Sequence, residues 1–185
     1  MGSFLVRQYL GLHSEDLAGA IIMGTGHQPN GILSAGMFMC RLISLFRGWE
    51  YRSKMVNDMA VGGYAKKLGS AWLSKNPENQ ETYSKDPLCG FMFTVNAYYH
   101  MFKGMSRMNK QEAEGRARKD LPLFFVAGGD DPVGESGKGV EKVVSCYREK
   151  GYQNVQMKLY PGDAHEILNE LDKDAVYQDL LNFLR

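Results

Sequence analysis

The segment Leu121–Pro132, LPLFFVAGGDDP, constrains this chain more than any other. A short apolar run that stops at glycines and aspartates reads as a strand buried on both faces of a parallel sheet. A second segment, NVQMKLYPGDAHEILNE, repeats the arrangement: a strand, a turn at Gly162, then His165. Between them, Gly134 to Lys150 carries Val140, Val143, Val144 and Tyr147 at helical spacing. Strand–helix–strand with a right-handed crossover sets the two strands side by side and parallel. The carboxylates and the imidazole then occupy neighbouring loops at the carboxyl ends of the strands, where open α/β sheets bind their ligands. An Asp and a His so placed fit the orienting acid and the general base of a hydrolytic triad. The residues alone leave Asp130 and Asp131 as rivals for the acid, each also readable as a plain turn aspartate.

The first residues, MGSFLVRQYLG, bear on the nucleophile. A triad serine in such a fold sits in Gly-x-Ser-x-Gly on a sharp strand-to-helix turn. Met1-Gly2 matches the last two positions of that motif, with the serine expected immediately before Met1. On these residues, on WLS at Trp72–Ser74, on DPLCG at Asp86–Gly90 and on the Tyr160-Pro161-Gly162…His165-Glu166 loop, the chain resembles the lysophospholipase and monoacylglycerol-lipase-like branch of the α/β-hydrolases, grouped with serine aminopeptidases. The resemblance runs from just after the nucleophile to the C-terminus. It implies the C-terminal part of an α/β-hydrolase fold: the last three parallel strands with flanking helices, carrying a helical cap insertion. About a hundred residues of a usual domain, including the serine, are then expected in front.

The implied division is 1–27 as core, 28–115 as cap and 116–185 as core. Within 1–27, Ser3 to Gly11 is expected as the helix after the nucleophile turn, with Phe4, Leu5, Tyr9 and Leu10 on one face and Gly11 ending it. Leu17 to Gly26 is expected as a strand. In 28–115, Met37 to Leu45 and Val95 to Met105 are expected as helices, with Glu50 to Ala60 a further candidate. Asn109 to Lys119 then leads back to the core. The last helix, Asp172 to Arg185, is expected to pack Val176, Leu180, Leu181 and Leu184 on the sheet.

The resemblance also assigns roles. Its Gly-x-x-D pattern after the strand, counted from Gly128, selects Asp131 and leaves Asp130 as a solvated turn residue. His165 becomes the general base, and the backbone N–H of Met1 an oxyanion donor. Ser3 stands one position past the motif and is expected to cap backbone amides. His13 and His100 have no expected catalytic role, and His27 could line the cleft. The eleven methionines read equally as gap-filling core residues or, in the cap, as the lining of an acyl-chain pocket.

Composition closes off other classes. With 22 basic and 21 acidic residues the net charge is +1, which gives no electrostatic case for nucleic acid. Cys40, Cys89 and Cys146 lack zinc spacing and suggest free thiols in a reducing compartment, hence a cytoplasmic protein compatible with peripheral membrane association. No apolar run reaches membrane-spanning length, so no transmembrane segment is expected. The implied activity is cleavage of a small apolar ester, of monoacylglycerol or lysophospholipid type, without metal or organic cofactor. Alone, these 185 residues are expected to be inactive. The strand at Leu17–Gly24 is expected to present an open edge for self-association. The alternative reading is an inactive fragment that binds a lipid or a protein.

Overall fold

The computed structural model describes the backbone of residues 1–185 and the side chains of all but 61, 62 and 65. Three strands form one parallel sheet in the order β1-β2-β3: β1 Ala20–Met23, β2 Leu123–Gly128 and β3 Val155–Tyr160. The crossover between β2 and β3 is α7, Lys138–Glu149, which buries Val140, Val143, Val144 and Tyr147 as its periodicity predicts. All six residues of β2 are buried, and the pleat divides them between two layers. Leu123, Phe125 and Ala127 face a core shared with α7 and with Leu10 of α1, Gly2–His13. Phe124 and Val126 face Tyr160, Ile167 and Val176, the last on α8, Lys173–Phe183.

A helical insertion separates β1 from β2. It contains α2 Asn30–Arg47, α3 Lys54–Asn57, a π-helical stretch Asp58–Gly62, α4 Gly63–Leu68, a 3-10 turn Gly69–Trp72, α5 Pro77–Lys85 and α6 Val95–Glu114. Its own core gathers Cys40, Val56, Val95, Tyr98 and Tyr99. Two starts are capped by side chains: Asn76 Oδ1 accepts from Glu78 N ahead of Pro77, and Thr94 Oγ1 accepts from Ala97 N. The helix begun at Val95 does not stop at Met105. It runs to Glu114 and ends on Gly115 in the left-handed conformation, φ 62°, so most of the expected return segment is helix.

Four further expectations are corrected. The first strand does not span Leu17 to Gly26: it covers Ala20–Met23, after a 3-10 turn at Ser14–Asp16, and Gly24 leaves it with φ 58°. In α1 the buried face is Ser3, Arg7 and Leu10, whereas Leu5 and Tyr9 are exposed. Arg7 can be buried because Glu112 accepts from its Nε and Nη2, each at 2.7 Å, while its Nη1 donates to Thr25 Oγ1 and to the Gly26 carbonyl. Tyr147 Oη also donates to Glu112, at 2.8 Å, so this buried pair joins α1, α6 and α7. Gly11 does not end α1, which continues to His13; a Cβ there would lie 2.9 Å from Cβ of Gln111, so the glycine lets α1 and α6 approach. Leu181 of α8 and Leu184 just past its end are exposed, and Phe183 joins Val176 and Leu180 at the sheet.

Candidate active site

Two glycines make room for the site. Gly128 ends β2, and a Cβ on it would lie 2.0 Å from the Ala164 carbonyl oxygen, so only glycine lets the loop after β3 cross the end of β2. Gly24 ends β1 with φ 58°, and its missing side chain leaves the space beside the His165 ring. The register places Gly128 opposite Tyr160, and two hydrogen bonds lock the loops together: Gly129 N to the Tyr160 carbonyl at 2.7 Å and Asp130 N to the Asp163 carbonyl at 2.9 Å.

Asp131 and His165 meet there. His165 Nδ1 lies 2.9 Å from Asp131 Oδ2, with the carboxylate fully buried and the imidazole partly exposed. The other oxygen, Oδ1, accepts from Val133 N at 2.8 Å, which fixes the carboxylate plane. Asp130 points the other way, is largely exposed and pairs with Lys75 of the insertion. It is therefore a solvated turn residue with an ionic partner that its sequence context does not reveal.

Met1 stands at the N-terminus of α1. Its amine is held below the ordinary value by burial, against the opposing pull of the Asp131 charge, so the start of α1 lies within electrostatic reach of the pair. The backbone dipole of α1 points its positive end the same way. Ser3 does not cap backbone amides: its hydroxyl donates to the Gly24 carbonyl at 3.3 Å and is buried. Among the described residues no hydrogen bond joins Ser3 to His165.

Two residues near the pair have no role assigned from the sequence. Trp72 of the insertion packs on His165, ring centroids 5.6 Å apart at 34°. Tyr64 follows Trp72 at 5.9 Å, its hydroxyl pushed up by burial and by Asp131. WLS marks the tryptophan as a motif residue, but no local pattern shows which loop it covers. Among the described residues no group of His, Cys, Asp and Glu could hold a metal ion, and no helix is long and apolar enough to cross a membrane.

A parallel sheet with Asp and His on adjacent strand-end loops and a helical insertion between strands is the C-terminal portion of an α/β-hydrolase fold. Residues 1–172 match the model of the serine aminopeptidase S33 family, and the chain belongs to that family. It is 27% identical over 135 residues to a monoacylglycerol lipase of Mycolicibacterium smegmatis, an alignment covering 71% of this chain and 45% of that protein. Among solved structures it resembles a thermostable carboxyl esterase from Bacillus coagulans in complex with glycerol, with TM-score 0.85 and 24% identity, covering 98% of this chain and 61% of that one. It also resembles the monoacylglycerol lipase of Paleococcus ferrophilus, with TM-score 0.68 and 15% identity over 98% of this chain and 64% of that one. The chain thus spans under half of the curated relative and under two thirds of these structures.

Proposed function

We propose that these residues supply the acid and base of a serine ester hydrolase acting on apolar, monoacylglycerol- or lysophospholipid-like esters, with the serine carried outside the 185 residues. The observation that carries this reading is the 2.9 Å contact between His165 Nδ1 and the buried Asp131 carboxylate at the strand ends. Asp131 holds the proton on Nδ1 and leaves Nε2 free as the base. His165 Nε2 takes the serine proton during attack on the ester carbonyl and returns it to the leaving alkoxide; Asp131 stabilises the imidazolium in between. The backbone N–H of Met1, in a longer chain, donates to the oxyanion at the start of α1. No step calls for a metal or an organic cofactor. The name of the mycobacterial relative, a monoacylglycerol lipase, supports the substrate class. The division into core 1–27, cap 28–115 and core 116–185 fits this reading, because the insertion brings Trp72 over the base.

A second reading, an inactive module that binds a lipid or a protein, draws on the exposed Phe38, Leu45 and Phe46 of α2. Turnover of a short p-nitrophenyl ester and of a monoacylglycerol by the chain extended through a Gly-x-Ser segment separates the two. The hydrolase reading expects turnover that falls on the order of ten-thousandfold in Asp131→Asn and on the order of a millionfold in His165→Ala. An extended, folded chain without turnover leaves the binding module.

A further inference from the structure

Glu170 is 2% exposed, and among the described residues none of its hydrogen-bond partners is a cation. A buried carboxylate is costly unless its oxygens are satisfied. Here Oε1 accepts from Ala164 N at 2.9 Å, both oxygens lie 3.0 Å from Lys75 N, and Oε2 accepts from Ser74 Oγ at 3.1 Å. One donor precedes His165 in the chain. The other two belong to the insertion and follow Trp72 closely. Three more bonds tie the insertion to the histidine loop: Glu166 N to the Leu73 carbonyl at 2.7 Å, Asn76 Nδ2 to the Asn169 carbonyl at 3.0 Å and Asn79 Nδ2 to Glu166 Oε2 at 2.8 Å. Ser74 is fully buried under this joint.

We infer that Glu170 is a positioning residue: its carboxylate clasps the Trp72–Lys75 segment of the insertion to the histidine loop and so keeps the Trp72 indole against the His165 ring. Two backbone amides and a hydroxyl converge on one carboxylate, an arrangement a neutral amide cannot replace. Glutamine offers a single acceptor oxygen and turns an N–H toward donors, leaving buried groups unpaired. The clasp links what the insertion does to where the base points. Its relevance to catalysis rests on the reading of His165 as general base; its existence does not.

The test uses the 185-residue chain with Trp49→Phe, which leaves Trp72 as the one tryptophan. A protonated imidazole in contact with an indole quenches its emission. The chain is expected to lose emission on acidification in a step that is absent after His165→Gln, a control that assigns the step to this imidazole. Glu170→Gln is expected to remove roughly half of that amplitude or more while the thermal unfolding stays cooperative. Ser74→Ala, which deletes one donor, is expected to remove less. A full-amplitude step in Glu170→Gln overturns the inference, as does the lack of any His165-dependent step in the parent. If Glu170→Gln does not fold, an unchanged step in Ser74→Ala overturns it. The readout needs no turnover: a clasp detected in a chain whose serine-bearing extension is inert removes the general-base reading and keeps the clasp.

Discussion

A Cβ on Gly24 would stand 3.0 Å from Cε1 of His165. The end of β1 is therefore shaped around the imidazole, and Gly24 also holds a left-handed φ of 58°. Gly24→Ala brings both a strained backbone, about 1 kcal/mol, and a clash with the ring. In an extended, serine-bearing chain we expect turnover to fall by on the order of a hundredfold, the cost of a misplacement near 1 Å, with the fold kept. Steady-state kinetics beside a thermal melt checks this, and unchanged turnover would mean that the ring is not held at β1.

Asp130→Asn breaks the pair with Lys75, whose two side chains are 58% and 47% exposed. Exposed pairs contribute about 0–1 kcal/mol. The expected result is a melting temperature within a few degrees of the parent and turnover within about threefold. A loss as large as that of Asp131→Asn would show that Asp130 is the acid.

How much of this was legible depended on the range of the interactions. The strand in LPLFFVAGGDDP and the helix expected within Gly134–Lys150, found at Lys138–Glu149, were legible because burial on both faces of β2 and the apolar stripe of α7 are written in adjacent residues. An aspartate of the β2 loop facing His165 was legible through the strand–helix–strand order; the choice of Asp131 over Asp130 came only with the family pattern counted from Gly128. The buried face of α1 was not, because Arg7 looks solvent-facing until Glu112, 105 residues away, pairs with it. Gly11 read as a helix stop because its partner, Gln111, is distant in sequence. Glu170 carries no local signal for the same reason: two of its donors lie 95 and 96 residues upstream.

Asp163 gives a pH dependence. It is 6% exposed, its Oδ2 has no hydrogen-bond partner among the described residues, and its carboxyl is pushed up to about 6 from 3.8 by burial and by the charges of Asp172 and Glu170. A carboxyl raised on folding favours the protonated state. Its contribution to stability is fully present below pH 3.8 and is lost as the pH rises through about 6. After discounting for solvent screening, the loss is on the order of 1–2 kcal/mol. Denaturant melts of Asp163→Asn should match the parent near the acid end and be more stable above neutrality. Equal stability at every pH would contradict this.

Among the described residues β1 pairs only with β2, so its other edge is free. On α1, next to it, Leu5, Tyr9 and Leu12 are 60%, 47% and 55% exposed. Open edges beside apolar surface recruit another chain. We expect the purified 185 residues to self-associate in size-exclusion chromatography with light scattering, and Tyr9→Lys with Leu12→Lys to reduce the mass. A monomeric mass at every concentration measured would contradict this.

On the proposed function, Asp131 and His165 are an acid–base pair whose nucleophile is not among these residues. Reaction of the 185-residue chain with a fluorophosphonate probe, followed by peptide mass spectrometry, tests it most directly. The account predicts no labelled serine, Ser3 included, because the Ser3 hydroxyl is committed to the Gly24 carbonyl. Stoichiometric labelling at Ser3 that disappears in His165→Ala would contradict it and make Ser3 the nucleophile.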